Sequence, residues 1–87
     1  MIEQKTKERI ISDTEIEANF PNSKHRTEYD NINSTWFHTI MFSNNCLVFI
    51  EEWEDEILAS VHNKDDKIIG CGYANKFKVL EWVKSKL

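Results

Sequence analysis

No apolar run in this chain approaches the roughly 18 residues that a membrane span requires. The opening Met1-Ile2-Glu3-Gln4-Lys5 is polar and lacks the apolar stretch of a secretory signal. Cysteine is scarce: Cys46 and Cys71 are too few for a small secreted domain stapled by disulfides. They also form no close ligand pair of the kind structural zinc sites use. These absences point to a reduced, cytoplasmic setting. Catalytic signatures are missing as well. Gly70-Cys71-Gly72 lacks the spacing of a nucleotide-binding loop, and small residues beneath a helix account for it better. No cofactor and no metal are expected, and an enzyme is disfavoured.

What is present is a single domain, residues 1–87, with room for one modest core. Apolar residues make up 40% and charged residues 30%, which places the chain among ordinary globular proteins rather than disordered ones. The net charge of −4 is unevenly divided. Residues 35–74 carry seven acids against two lysines, whereas residues 75–87 carry four lysines against Glu81. An acidic middle repels phosphate backbones and attracts basic protein surfaces. Direct binding to nucleic acid is therefore disfavoured; binding to a basic protein that itself handles nucleic acid is not.

The pattern along the chain predicts an α+β fold. Ser12 and Glu15 form a capping box with Ile11 and Ile16 as a hydrophobic staple, so a short helix is expected over residues 13–20, stopped by Pro21. Residues 21–34 read as a loop. Four runs rich in aromatic and β-branched residues follow, 36–42, 46–53, 57–62 and 67–73, joined by short connections. They predict a four-stranded antiparallel meander. Residues 75–87 form an amphipathic helix with Phe77, Leu80, Val83 and Leu87 on one stripe, packed on one face of the sheet.

Asn44-Asn45 reads as a two-residue hairpin turn, because Asn tolerates positive φ. That register sets Trp36 opposite Trp53 and His38 opposite Glu51. One face then collects Phe37, Met41, Val48, Ile50, Ile57, Ala59, Val61, Gly70 and Gly72, with the C-terminal helix over the small residues and Phe77 and Trp82 filling the space. The other face collects Trp36, His38, Ile40, Phe49, Glu51, Trp53, Leu58, Ser60, His62 and Cys71, too many for the N-terminal helix to cover.

The run Glu51-Glu52-Trp53-Glu54-Asp55-Glu56 is the most informative stretch, five carboxylates around one tryptophan. Its plain role is a charged turn that blocks aggregation between sheets. Its functional role is an acidic surface with Trp53 as an anchor, since tryptophan is enriched at binding hot spots. Glu51, Glu52, Trp53, Glu54, Asp55 and Glu56, with Asp65 and Asp66 in the following turn and Trp36 across the strand, form the expected partner-binding surface. The expected function is a stoichiometric protein-binding inhibitor, of the kind phages deploy against host defence nucleases or bacteria use as toxin immunity factors. A Lys-, Asn- and Ile-rich composition with only two arginines accords with an AT-rich phage genome. Two alternatives stand beside it. A small enzyme or ligand binder would use His38, Glu51 and Ser60 on one sheet face, and an accessory subunit would complete an oligomer, including a homo-oligomer.

Overall fold

The computed structural model describes residues 6–65 and 67–87. Their order is α1 (Asp13–Asn19), β1 (Ser23–Asp30), β2 (Thr35–Phe42), β3 (Leu47–Glu52), β4 (Ile57–His62), β5 (Ile68–Tyr73) and α2 (Lys76–Lys86). The strands form one antiparallel meander in sequence order. The fold is α+β as expected, with five strands rather than four. The additional strand, β1, lies where the sequence suggested a loop. Its side chains alternate with period two, but the inward set is His25, Thr27 and Tyr29 rather than aliphatic. Such a strand is stable only where its inward polar groups find partners. The N-terminal segment and β2 supply them.

The helix starts as the sequence predicts. Glu15 donates its amide to Ser12 Oγ at 3.1 Å, and Ser12 returns its amide to Glu15 Oε1 at 3.2 Å. Ile11 and Ile16 flank the cap and are both sealed from solvent. At the second helix, the Asn75 side chain accepts the Phe77 amide at 2.8 Å, and Val79, Leu80 and Val83 are buried. Leu80 and Val83 of the expected stripe are buried, but Phe77 and Leu87 are exposed at 65% and 47%, and Val79 takes their place in the core.

Hairpin geometry decides which residues enter the core. The β2–β3 loop has three residues, Ser43-Asn44-Asn45: the Phe42 amide donates to Cys46 O at 3.0 Å, and the Asn45 amide donates to Phe42 O at 3.2 Å. Asn45 takes the left-handed conformation, φ 68°. This is a turn closed by a left-handed residue, a common alternative to a two-residue hairpin. One extra loop residue shifts the pairing by one, and a one-residue shift moves every side chain of a strand to the other face. Trp36 therefore stands opposite Glu52, and His38 opposite Ile50. The β3–β4 connection, expected to be short between residues 53 and 57, is the two-residue turn Glu54-Asp55, with the Trp53 amide donating to Glu56 O at 3.0 Å. At β4–β5 the pairing again shifts by one, so Ala59 faces Cys71 rather than a glycine.

Both helices consequently share one face of the sheet. His38, Ile40, Val48, Ile50, Glu52, Ile57, Ala59 and Val61 lie there under Ile11, Ile16 and Phe20 from the N-terminal side and Val79, Leu80 and Val83 from α2. The glycines are not under α2: a Cβ at Gly72 would meet Leu58 and Glu56 on the far side. Trp82 packs half-buried at the margin of the core. The opposite face, with Phe37, Met41, Leu47, Phe49, Leu58 and Ile68 in register, carries neither helix.

Candidate functional site

The turn leaving β3 places the expected acidic residues unequally. Glu54, Asp55 and Glu56 are exposed on a tight two-residue turn. Glu51 points to the open face between Phe37 and Leu58 in register, and its Oε1 accepts the Trp53 indole N–H at 2.9 Å. That bond holds the half-buried indole against the strand end beside an open groove of about 420 Å³, lined by Lys7, Asn33, Ser34, Trp53 and Glu54. Four carboxylates, a positioned indole and an apolar row are thus brought together at one end of the open face.

Three expected members are not part of this surface. Glu52 is completely buried. Trp36 packs on Tyr29, ring centroids 4.8 Å apart, and donates its indole N–H to Lys7 O at 2.8 Å. The cross-strand aromatic pair is therefore Trp36–Tyr29, not Trp36–Trp53, because the shifted register and β1 place a different neighbour beside it. Asp65 is exposed in the β4–β5 turn, at the opposite end of a six-residue strand and hence roughly 20 Å away. Asp66 lies outside the described residues.

Glu52 instead closes a buried polar chain that the sequence did not reveal. Its Oε1 accepts the Ile10 amide at 2.7 Å, and its Oε2 accepts the Ile11 amide at 3.1 Å and bonds His38 Nε2 at 2.5 Å. The other imidazole nitrogen, Nδ1, lies 2.9 Å from Thr27 Oγ1, which accepts from Arg9 Nη2 at 3.3 Å. One donor direction satisfies every group: Arg9 to Thr27, the Thr27 hydroxyl to His38, and the Nε2–H tautomer of His38 to an ionised Glu52. Burial opposes that ionised form, but the bonds from His38 and the Ile10 and Ile11 amides outweigh it and hold the Glu52 carboxyl below its ordinary value. The chain ties residues 7–11 across β1, β2 and β3. A signal was available, since Val48, Ile50 and Glu52 share one parity and Glu52 follows the buried side of β3.

Other contacts secure the same segment. Asp13 bonds Arg9 at 2.7 Å and His25 at 3.0 Å, and these two bonds lower its carboxyl to about 2. Lys76 of α2 reaches back to Glu15 at 2.9 Å, which lowers the Glu15 carboxyl.

The residues of the enzyme alternative are not assembled. His38 lies under the helices, whereas Glu51 and Ser60 lie on the open face. Thr27 and His38 do form a hydroxyl–imidazole–carboxylate series with Glu52, but both His38 and Glu52 side chains are shut off from solvent. Cys46 is buried, and burial pushes the Cys71 thiol up, away from the thiolate that nucleophilic chemistry needs. Among the described residues, no group of three or more His, Cys, Asp or Glu side chains could hold a metal ion, and no helix is long and apolar enough to cross a membrane. Compared with known proteins, the chain matches no protein-family model, no curated protein and no solved structure.

Proposed function

We propose that the protein is a stoichiometric protein-binding inhibitor, acting on a basic protein that handles nucleic acid, in the manner of a phage counter-defence or toxin-immunity factor. The observation that carries this reading is the open sheet face, where Phe37, Phe49 and Leu58 sit beside Glu51 and the exposed Glu54-Asp55-Glu56 turn. An apolar centre with a charged rim is the general anatomy of a protein interface. Phe49 is 40% and Met41 44% exposed, a large apolar presentation for a chain of this size. The acids at one end select a basic partner and speed its encounter, while the apolar row supplies the surface to be buried. Trp53, fixed by Glu51, serves as the anchor at the junction.

The test is affinity capture from a bacterial lysate with the wild-type protein and the variant Glu54→Gln/Asp55→Asn/Glu56→Gln. One basic, nucleic-acid-handling protein should be recovered in a one-to-one complex with the wild type and lost or strongly depleted with the variant. Recovery of the same protein by both would remove the acidic turn from the mechanism. A wild-type protein that only associates with itself would replace inhibition with the oligomer alternative.

A further inference from the structure

The two edges of the sheet are built differently. Along β1, Lys24, Arg26 and Glu28 stand on the outward side of the edge strand, a charged guard of the kind that discourages further pairing. The other edge, Ile68-Ile69-Gly70-Cys71-Gly72-Tyr73, holds no charge and no proline. It pairs with β4 on one side only, and Ile68, Ile69 and Tyr73 are 74%, 40% and 38% exposed. An unguarded edge offers a row of backbone donors and acceptors to another strand. Beside it runs an open groove of about 420 Å³, lined by Tyr73 of β5 and Lys78, Glu81, Trp82 and Ser85 of α2. Tyr73 projects to the helix face, because it pairs with the buried Ile57, and Trp82 comes to meet it from α2. A strand added to β5 would direct alternate side chains into this groove.

We infer that the β5 edge and the β5–α2 groove form a docking site for an extended acidic peptide, which adds as a sixth strand and inserts a bulky apolar side chain between Tyr73 and Trp82. Charge identifies the occupant. Lys78 lines the groove beside Glu81, Lys86 sits over Trp82 at 5.9 Å, and Lys84 lies on the same helix; Glu56 is the acid at the other end, against Gly72. Residues 75–87 carry four lysines against one acid in a protein of net charge −4. A second copy fits poorly. Antiparallel pairing of two β5 edges about a twofold axis would set both lysine-rich helices side by side on one face, where like charges oppose association. A peptide with carboxylates two residues to either side of its apolar one turns all three to the helix face, where the carboxylates meet the lysines with opposite charge. The acidic turn adjoins the Tyr73 end of this site, where Glu56 lies against Gly72, so the β5 amides and the Trp82 indole, rather than capture of the basic partner, report this interaction.

The experiment uses the whole protein, labelled with nitrogen-15, and a set of synthetic extended peptides. Each alternates Thr and Val around a central Leu, Phe, Tyr or Trp, with acidic, neutral or basic ends. Acidic peptides should shift the amides of Ile68–Tyr73 and the indole of Trp82. Methylating alternate peptide nitrogens should abolish binding in one phase and spare it in the other, as strand addition requires. Lys78→Glu should weaken an acidic peptide by about tenfold and strengthen the basic-ended one. The inference is overturned if no peptide moves these resonances, if the shifts fall on the Phe37–Phe49–Leu58 face, if both methylation phases bind equally, or if the β5 amides respond only to protein concentration, which would mean self-pairing.

Discussion

Glu52 shows how far one side chain can depart from its neighbours. It sits in a run of surface acids, yet three donors converge on its carboxylate inside the core. Glutamine in its place keeps one acceptor and turns an amide N–H₂ toward those donors. Glu52→Gln should therefore cost about 3 kcal/mol at neutral pH, read as a shift in the urea midpoint. The effect depends on pH with a definite sign. The folded-state carboxyl lies below its ordinary value of 4.5, so its contribution is complete above that value and is lost as pH falls through the folded one. Protonated glutamic acid and glutamine are similar in shape and charge. The gap between wild type and variant should accordingly be constant above the ordinary value of 4.5 and narrow progressively as the solution is acidified below it. A gap that stays constant would mean that Glu52 is not ionised in the folded protein.

At the scale of elements, what was legible depended on whether a local rule had one solution or two. The capping box at Ser12 and Glu15 has one, and α1 begins where it indicates. The Glu54-Asp55 turn is also unambiguous, because Trp53 and Glu56 close it directly. Asn44-Asn45 has two solutions. Asn suits positive φ in a two-residue or a three-residue hairpin, and only the second occurs, with Asn45 alone left-handed. That single ambiguity exchanged the inner and outer faces of β2 relative to β3. It moved His38 from a partner-facing position to the buried one. β1 escaped notice for a different reason, since hydrophobic periodicity cannot report a strand whose inward side chains are His25, Thr27 and Tyr29. The acidic turn and Trp53 were legible because exposed loop charges need no register. Glu52 and Trp36 were misplaced because they do, and Asp65 because β4 carries the next turn to the opposite end of the sheet. Asn45→Gly should relieve the left-handed strain and raise stability by up to about 1 kcal/mol in thermal unfolding, whereas a β-branched residue there should lower it. Leu80→Ala, on the buried stripe of α2, should cost about 2–5 kcal/mol. A wild-type melting profile for that variant would detach α2 from the core.

On the scale of the whole molecule, the sheet separates stability from recognition. Both helices, the buried His38–Glu52 pair and the aliphatic core lie on one side, and the other side presents its apolar residues between the acidic β3–β4 turn at one end and Lys24 and Arg26 along β1. Changes on the open side should therefore alter binding with little loss of stability. Phe49→Glu should keep the wild-type melting point yet abolish binding to the basic partner, since a new charge would have to be buried without a counterion. The rim and the anchor should separate kinetically. Neutralising Glu54, Asp55 and Glu56 removes long-range attraction, so association should slow and lose its dependence on salt, with dissociation almost unchanged. Trp53→Ala removes a ring held by Glu51 at the junction of the acidic turn and the apolar row, so dissociation should quicken, with about 2 kcal/mol or more of affinity lost. Surface-plasmon measurements at low and high salt read the two effects independently. An association rate at low salt that ignores the triple neutralisation would reduce the turn to a solubilising feature, and recognition would then have to rest on the apolar row alone.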